Sequence, residues 1–256
     1  MELIIVTQDL AYKSASQLAR LSTERWAIEN LYCPSCGAGL SAYPNNTPVY
    51  DFLSHDCRER YQLKASKNAF GTSVLDSEYK TAMKSVMEDA YPSLFLLHYD
   101  PIGWRVSDLD LIHRACITEN CIIPRKPLGP DARRAGWQGC IISLAQIPDV
   151  GRINIVRNGT IRPKRQVLSQ WKLSDGLLKV EPPRRGWLAD VLRCVERLYT
   201  TFNLENVYSF EAELSSAHPA NRNVKAKIRQ QLQLLRDLGF IEFISPGTYR
   251  RLRQEE

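Results

Sequence analysis

The sequence that decides the fold reads YCPSCG at residues 32–37, VYDFLSHDC at residues 49–57 and YQLK at residues 61–64. The first segment is a Cys-Pro-x-Cys-Gly knuckle, which supplies two thiolates from one tight turn. We predict a tetrahedral zinc site made of Cys33, Cys36, His55 and Cys57, with eighteen residues between Cys36 and His55. Zinc would then hold the turn of the hairpin against the knuckle and order it. Free cysteines in a turn are the alternative.

A second potential site is interleaved with these ligands. Asp51, followed by Gln62 and Lys64, matches the outline of a magnesium-dependent phosphodiesterase. Gln62 and Lys64 are two residues apart, so on a strand they point to the same side, about 7 Å apart. We expect Asp51 and Gln62 to bind Mg²⁺, and Lys64 to orient the water and stabilise developing charge. The alternative is an Asp and a Lys on the polar side of a strand.

The bulk composition is that of a globular protein with room for one large domain or two modest ones. The chain has 256 residues, of which 44% are hydrophobic and 24% charged. No apolar run reaches the roughly 18 residues of a membrane span, and the N-terminus lacks a secretory signal. Seven cysteines, three of them in the metal-like cluster, indicate a reducing compartment. We therefore expect a cytoplasmic protein without membrane partners.

The positive charge is modest but clustered. The net charge is +6, and the basic clusters lie at residues 125–126, 133–134, 162–165, 184–185 and 250–253. Clustered cations favour a polyanionic partner, although charge alone is equally consistent with a solvated surface.

The hydrophobic pattern predicts a helix, a hairpin, a helix and a buried strand in the first hundred residues. These are expected at about residues 14–31, 49–65, 75–87 and 93–99, with a polar loop at residues 43–48. Residues 100–180 give an irregular signal, with strand candidates at 139–145 and 151–157. This order is typical of an α/β nuclease.

A domain boundary is predicted at residues 181–186, where paired prolines favour an extended linker. After it we expect helices at residues 187–199, 203–214 and 221–238, the last ending at Gly239. A β-hairpin at residues 240–252 would follow. Three helices and a two-stranded wing form a winged-helix domain, so we assign residues 1–181 to a catalytic domain and 182–256 to a DNA-binding domain.

These residues resemble the DpnI-like, Dam-replacing family of methyl-directed restriction endonucleases. The resemblance runs through YCPxCG, Asp51-Phe52 and Leu63-Lys64, then RKPL at residues 125–128 and ARRAGW at residues 132–137, and on to IRQQLQ at residues 228–233. It covers essentially the whole chain, and the ARRAGW block is highly specific. The resemblance implies a PD-(D/E)XK nuclease core with an embedded zinc site, fused to a winged helix. The implied substrate is duplex DNA with N6-methyladenine in GATC.

Two positions depart from the pattern of that family. Gln62 stands where the family has a catalytic Glu, which removes one negative charge from the magnesium site. Ser54 stands at the first position of the family's second Cys-x2-Cys pair, and we expect the neighbouring His55 to replace the missing ligand. This replacement requires a shifted turn.

Reading N6-methyladenine requires an apolar surface in the major groove beside hydrogen-bonding groups. Trp137 is our candidate for the methyl group, with a core Trp as the alternative, and the helix at residues 221–238 is the candidate recognition helix. The candidate DNA- and methyl-binding residues are Arg125, Lys126, Arg133, Arg134, Trp137, Asn223, Lys225, Lys227, Arg229, Tyr249 and Arg250.

The sequence thus predicts a monomeric, Mg²⁺-dependent type II endonuclease that cuts GATC only when its adenines are methylated, with Zn²⁺ as a structural ion. Two rivals remain. One is a catalytically inactive reader of methylated DNA or a regulator, in which Gln62 marks a decayed active site. The other is a nuclease that cuts unmethylated or hemimethylated sites.

Overall fold

A computed structural model describes residues 1–7, 14–43 and 50–252. Most of the expected polar loop, the start of the first hairpin strand at Val49 and the basic residue Arg253 lie outside the described residues. The helices are α1 Ala15–Asn30, α2 Tyr79–Met87, α3 Lys164–Asp175, α4 Pro182–Glu196, α5 Leu204–Tyr208, α6 Glu211–Ala217 and α7 Val224–Asp237. Along the described chain, no helix combines the length and apolarity needed to cross a membrane.

The strands form three sheets. They are β1 Leu40–Ala42, β2 Phe52–Ser54, β3 Arg60–Ser66, β4 Ser73–Glu78, β5 Ser93–Asp100, β6 Arg105–Ile112, β7 Ile122–Pro124, β8 Gly139–Ser143, β9 Arg152–Arg157, β10 Thr160–Ile161, β11 Thr201–Asn203, β12 Ile241–Ser245 and β13 Thr248–Arg251. The main sheet has the order β1-β2-β3-β5-β6-β9-β10. Only the β3–β5 pair is parallel within it.

The main sheet is covered on both sides, which explains the continuous apolar run of β5. One hydrophobic cluster includes Trp26 of α1, Phe95 and Trp171 of α3. The other begins under β5 at Leu94 and continues into the C-terminal domain as far as Ile228. The predicted helix α1, the β2–β3 hairpin and the buried strand β5 are confirmed. Because β3 lies between β2 and β5 and both faces of the sheet are covered, the side chains of β3 are held in fixed positions.

The structure corrects two predictions, the first of them through a second sheet, β4-β8-β7. The residues around Leu75 form strand β4, and helix α2 begins only at Tyr79. The apolar spacing predicted one helix because a strand and a short helix follow each other directly. Residues 100–180 also contain more regular structure than we predicted, including β6 and the twelve-residue helix α3.

The expected extended linker at residues 181–186 is wrong. Pro182 and Pro183 form the first turn of α4, where proline is tolerated because the first N–H groups of a helix have no intrahelical acceptor. Arg185 is 4% exposed and binds the Val180 carbonyl and, at 2.8 Å, Asp89. These contacts connect the start of α4 to the N-terminal domain.

The C-terminal domain has the predicted three-helix and wing plan with two differences. The expected second helix is divided into α5 and α6, which are separated at Ser209 and Phe210. The wing, β12 and β13, is confirmed and gains a third strand, β11, in the order β11-β13-β12. Gly239 ends α7 at φ +80°, as the sequence predicted.

Candidate active site, thiol cluster and exposed basic surfaces

The predicted knuckle forms a tight turn that brings two cysteines together. The Gly37 N–H donates to the Cys33 carbonyl at 2.7 Å, and Gly37 has φ +83°, a conformation that favours glycine. Strand β2 and its turn add Cys57, whose sulfur lies 3.4 Å from that of Cys33. The sulfur atoms of Cys33, Cys36 and Cys57 all lie within 4.8 Å of one another, so this thiol cluster can hold a metal ion such as zinc.

The structure does not bring His55 into the thiol cluster. The ring of His55 lies beside Gly39, and its backbone N–H donates to the Gly39 carbonyl at 3.2 Å. The side chain that approaches the sulfurs is Ser54. Its hydroxyl oxygen lies 3.3 Å from the sulfur of Cys36 and 3.3 Å from that of Cys57, and Ser54 is fully buried.

The surroundings of Cys33 and Cys36 give these two thiols different pKa values. Burial raises the pKa of Cys33 to about 11, opposed by its hydrogen bond with Tyr61. Burial also acts to raise the pKa of Cys36, but hydrogen bonds from the Ser54 hydroxyl and the Ala38 amide outweigh it and lower this pKa to about 7. A metal ion would favour the thiolate form of all three cysteines.

Asp51, which directly precedes β2, and Gln62 of β3 lie together where the pairing of β2 with β3 ends. Asp51 accepts a hydrogen bond from the Leu63 N–H at 2.8 Å, and both side chains line a cavity of 770 Å³ between α1 and the sheet. Burial raises the pKa of Asp51; the Leu63 amide acts against it, while Glu24 raises it further. The side-chain oxygen of Gln62 is buried and has no hydrogen-bond partner among the described residues. The arrangement offers oxygen donors to a hard cation.

Lys64 points into a neighbouring cavity and not into the one lined by Asp51 and Gln62. Its ammonium group donates to Asp76 of β4 at 2.7 Å, and Asp76 also accepts a hydrogen bond from the Tyr91 hydroxyl at 2.5 Å. Burial and the charge of Asp76 raise the pKa of Tyr91 well above its usual value, so Tyr91 stays a donor. Lys64 is still close enough to Asp51 to lower the pKa of that carboxyl.

The basic segment at residues 125–138 connects β7 to β8 and is mostly exposed. Trp137 is partly buried, and the guanidinium of Arg134 lies over its ring at 4.9 Å. A methyl group at Gly139 would lie 2.9 Å from that ring, so glycine is needed for the ring to pack there. Arg125, Lys126 and Arg133 are exposed beside it. Trp137 is therefore partly buried and lies outside both hydrophobic clusters.

The candidate DNA-binding residues of the C-terminal domain lie on α7 and the wing. Asn223, Lys225, Arg229 and Arg250 are exposed, and Lys227 is partly buried. Several of them have protein partners: Lys225 contacts Glu211 at 3.6 Å, Arg229 donates to the Tyr208 hydroxyl at 2.8 Å, and Arg250 pairs with Glu242 at 3.0 Å.

Tyr249 differs from its neighbours on the wing. It stacks on Phe202, with ring centroids 5.6 Å apart, and packs against the hydrophobic cluster. Its ring is therefore partly structural.

Four residues near these sites were not found from the sequence: Glu24, Ser54 as a neighbour of the sulfurs, Asp76 and Tyr91. Asp76 and Tyr91 reach Lys64 from other elements, so no short motif could reveal them. Glu24 lies on the side of α1 that lines the cavity with Asp51. In the sequence, only the position of Glu24 on the predicted helix could have indicated this location.

These features define a two-domain protein in which a sheet-rich α/β domain with a cysteine cluster precedes a helix-turn-helix domain. The family model described as DpnI, Dam-replacing family, matches residues 1–180, and the model described as DpnI_C, Dam-replacing HTH domain, matches residues 183–251. The chain therefore belongs to the DpnI, or Dam-replacing, family. Membership implies a methylation-dependent restriction endonuclease with a DNA-binding helix-turn-helix domain.

Proposed function

We propose that this protein is a type II endonuclease that cleaves duplex DNA at GATC when the adenines carry N6-methyl groups, with Mg²⁺ as its catalytic ion. Residues 1–181 act as a PD-(D/E)XK catalytic domain, and residues 182–256 act as a winged-helix DNA-binding domain. The observation that carries the proposal is that Gln62 lines the same cavity as Asp51 and has a buried side-chain oxygen without a hydrogen-bond partner among the described residues. A buried carbonyl oxygen without a donor is costly unless a ligand binds it.

Asp51 and Gln62 fit a magnesium ion by the chemistry of their donors, since Mg²⁺ prefers oxygen ligands and retains water in its shell. Bound there, Mg²⁺ would neutralise phosphate charge and lower the pKa of an attacking water. Gln62 supplies a neutral oxygen where the family has a carboxylate, so Asp51 is the charged ligand. Glu24, which lines the same cavity, adds negative potential that favours a cation.

Lys64 stabilises negative charge at the scissile phosphate in this proposal. Its bond with Asp76 fixes the ammonium group in the neighbouring cavity, from which its charge still acts on Asp51. A preorganised cation is more effective than a mobile one because it needs no reorganisation during the reaction. Asp76 and Tyr91 thus act as positioning residues.

Recognition of the methyl group is assigned to the loop at residues 125–138. Trp137 offers an apolar ring at the surface, and Arg133 and Arg134 beside it can contact guanine or phosphate. The loop leads directly into β8, which pairs with β4, and Asp76 lies opposite Cys140 in that pairing. The loop that would bind the methyl group is therefore linked to Lys64 through β8 and β4, since Asp76 of β4 binds Lys64.

The winged helix makes a second contact with the same DNA. The first turns of α7 carry Asn223, Lys225 and Lys227, which would lie in the major groove, while Arg229, Tyr249 and Arg250 would contact phosphates. The ion pairs of Lys225 with Glu211 and of Arg250 with Glu242 are exposed, and exposed ion pairs contribute little, so exchange of these partners for phosphate is favourable.

Cleavage and binding can be separated with a short duplex that contains one fully methylated GATC. Cleavage is measured in Mg²⁺, and binding is measured without added Mg²⁺ and without a chelator, so that the thiol cluster keeps its metal ion. We expect Lys64→Ala to abolish cleavage and to leave binding largely intact, with Lys84→Ala, an exposed lysine on α2, as the control. Loss of both activities in Lys64→Ala alone would show that Lys64 is structural and not catalytic.

The methyl-binding role is tested by comparing methylated and unmethylated duplexes. Trp137→Ala should remove most of the preference for methylated DNA. Arg134→Ala, which keeps the ring, should weaken binding to both duplexes alike. An unchanged preference in Trp137→Ala would remove Trp137 from methyl recognition and would favour a nuclease of different specificity.

A reader of methylated DNA without nuclease activity is the second candidate. It is favoured by the bond between Lys64 and Asp76, which directs the lysine away from the cavity lined by Asp51 and Gln62. Specific binding without cleavage in Mg²⁺ or Mn²⁺ would establish this alternative. Gln62→Glu would then be the informative variant, because it restores the charge that the family carries at this position.

A further inference from the structure

The thiol cluster has an oxygen atom at the position where a fourth ligand belongs. Sulfur ligands about 2.3 Å from a tetrahedral zinc ion lie about 3.7 Å from one another. The sulfurs of Cys33 and Cys57, 3.4 Å apart, are close to this separation, and the sulfur of Cys36 is within 4.8 Å of both. An ion among them would have one position left.

The Ser54 hydroxyl meets the geometric requirement for that position. Its oxygen is 3.3 Å from the sulfur of Cys36 and 3.3 Å from that of Cys57. Ser54 is fully buried at the end of β2, and its N–H donates to the Glu59 carbonyl at 2.9 Å. The hydroxyl therefore points at the thiols because the strand holds it there.

His55 lies on the other side of the same strand end. Adjacent residues of an extended chain point to opposite faces, so a backbone that aims Ser54 at the sulfurs directs His55 away from them. The His55 ring is exposed beside Gly39, and the His55 N–H is bound to the Gly39 carbonyl. Bringing this ring into the cluster would require breaking that bond and moving Ser54 out.

We propose that the metal ion of the thiol cluster is a zinc ion bound by Cys33, Cys36, Cys57 and the hydroxyl oxygen of Ser54, and that His55 is not a ligand. A neutral hydroxyl leaves the site with a net charge of −1, counted as Zn²⁺ with three thiolates. The Tyr61 hydroxyl, 3.0 Å from the Cys33 sulfur, can donate to that thiolate and support it from the outer shell. The proposal concerns the metal site and does not depend on DNA cleavage.

Cobalt(II) substitution distinguishes the candidate ligand sets. The intensity of the sulfur-to-cobalt charge-transfer band reports the number of thiolates, and the d–d bands report the fourth donor and the tetrahedral geometry. The full chain is prepared without metal under reducing, oxygen-free conditions and titrated with Co²⁺; a chelator competition then gives the zinc affinity. The four proteins are the wild type, Ser54→Ala, Ser54→Cys and His55→Ala.

We expect the wild type and His55→Ala to give the same spectrum and the same zinc affinity. Ser54→Ala should change the d–d bands and weaken zinc binding about tenfold or more, since even outer-shell partners are worth about 10- to 100-fold. Ser54→Cys should increase the charge-transfer band by about a third and tighten zinc binding, because three thiolates become four.

Two results would overturn the proposal. A changed spectrum in His55→Ala together with an unchanged one in Ser54→Ala would identify His55 as the ligand. Failure of the wild type to bind Co²⁺ or Zn²⁺, with or without binding by Ser54→Cys, would show that the serine-containing cluster is not a metal site. DNA cleavage is measured separately, so neither result can be confused with failure of the proposed nuclease.

Discussion

Replacing Asp76 by Asn removes the negative charge beside Lys64 and keeps the shape of the side chain. The Asp76 side chain is 1% exposed and that of Lys64 is 19% exposed, so the ion pair is mostly shielded from water. Removing one partner of a buried pair typically destabilises a protein by about 3–5 kcal/mol. Because Lys64 retains some access to water, we expect the lower end, about 3 kcal/mol, for Asp76→Asn.

A double-mutant cycle isolates the contribution of the pair. Lys64→Met should also cost about 3 kcal/mol, since it leaves the Asp76 carboxylate buried with Tyr91 as its remaining partner. If the two side chains act together, the double variant should lose about 4 kcal/mol instead of about 6, which is a coupling free energy of about 2 kcal/mol.

The assay is urea unfolding followed by tryptophan fluorescence, with zinc present throughout. The control is the exposed pair of Arg25 and Glu29 on α1, for which Glu29→Gln should change stability by less than about 0.5 kcal/mol. Additive losses in the cycle, with coupling below about 0.5 kcal/mol, would show that Asp76 does not hold Lys64 in solution. The positioning role proposed for Asp76 would then be wrong.

Other predictions concern pH, packing and DNA binding. Burial raises the pKa of Glu196 from 4.5 to about 7, so the stability that this group contributes below pH 4.5 is lost as the pH rises through about 7. Relative to Glu196→Gln, the free energy of unfolding of the wild type in urea should fall by about 3 kcal/mol between pH 4.5 and 8. A constant difference between the two proteins would contradict this assignment. Gly151→Ala should lower the free energy of unfolding by about 1–3 kcal/mol in the same assay, because the new methyl group would lie 2.5 Å from the Cys116 sulfur. Gly176→Ala is the control, because its methyl group meets open space and should not destabilise the protein. Arg229→Ala should weaken DNA binding on methylated and unmethylated duplexes alike and reduce the salt slope by about one, and an unchanged slope would exclude a phosphate contact.

The parts of the fold that the sequence predicted correctly are those with local signals. The β2–β3 hairpin, the apolar strand β5 and the wing after Gly239 have clear periodicity or turn residues. The errors come from tertiary context. The prolines at residues 182–183 form the first turn of α4, and Arg185 then binds Asp89, a long-range contact that no local pattern reveals.

The sequence identified residues of the candidate site but not the contacts between them. Sequence spacing identified the three cysteines and the residues Asp51 and Gln62, which do lie together. It could not reveal that Lys64 is bound by Asp76, because β3 and β4 belong to different sheets. It predicted His55 as the fourth ligand, whereas the side chain beside the sulfurs is that of Ser54, because sequence spacing does not give the direction in which adjacent side chains point.

The most direct test of the proposed function is digestion of one plasmid prepared from cells with and without adenine methylation at GATC. Each preparation is incubated with the protein in Mg²⁺ and in EDTA. The proposal predicts fragments that correspond to GATC positions only from methylated plasmid in Mg²⁺. Intact methylated plasmid in Mg²⁺, with binding to methylated duplex retained, would contradict it and would make the protein a reader of methylated DNA.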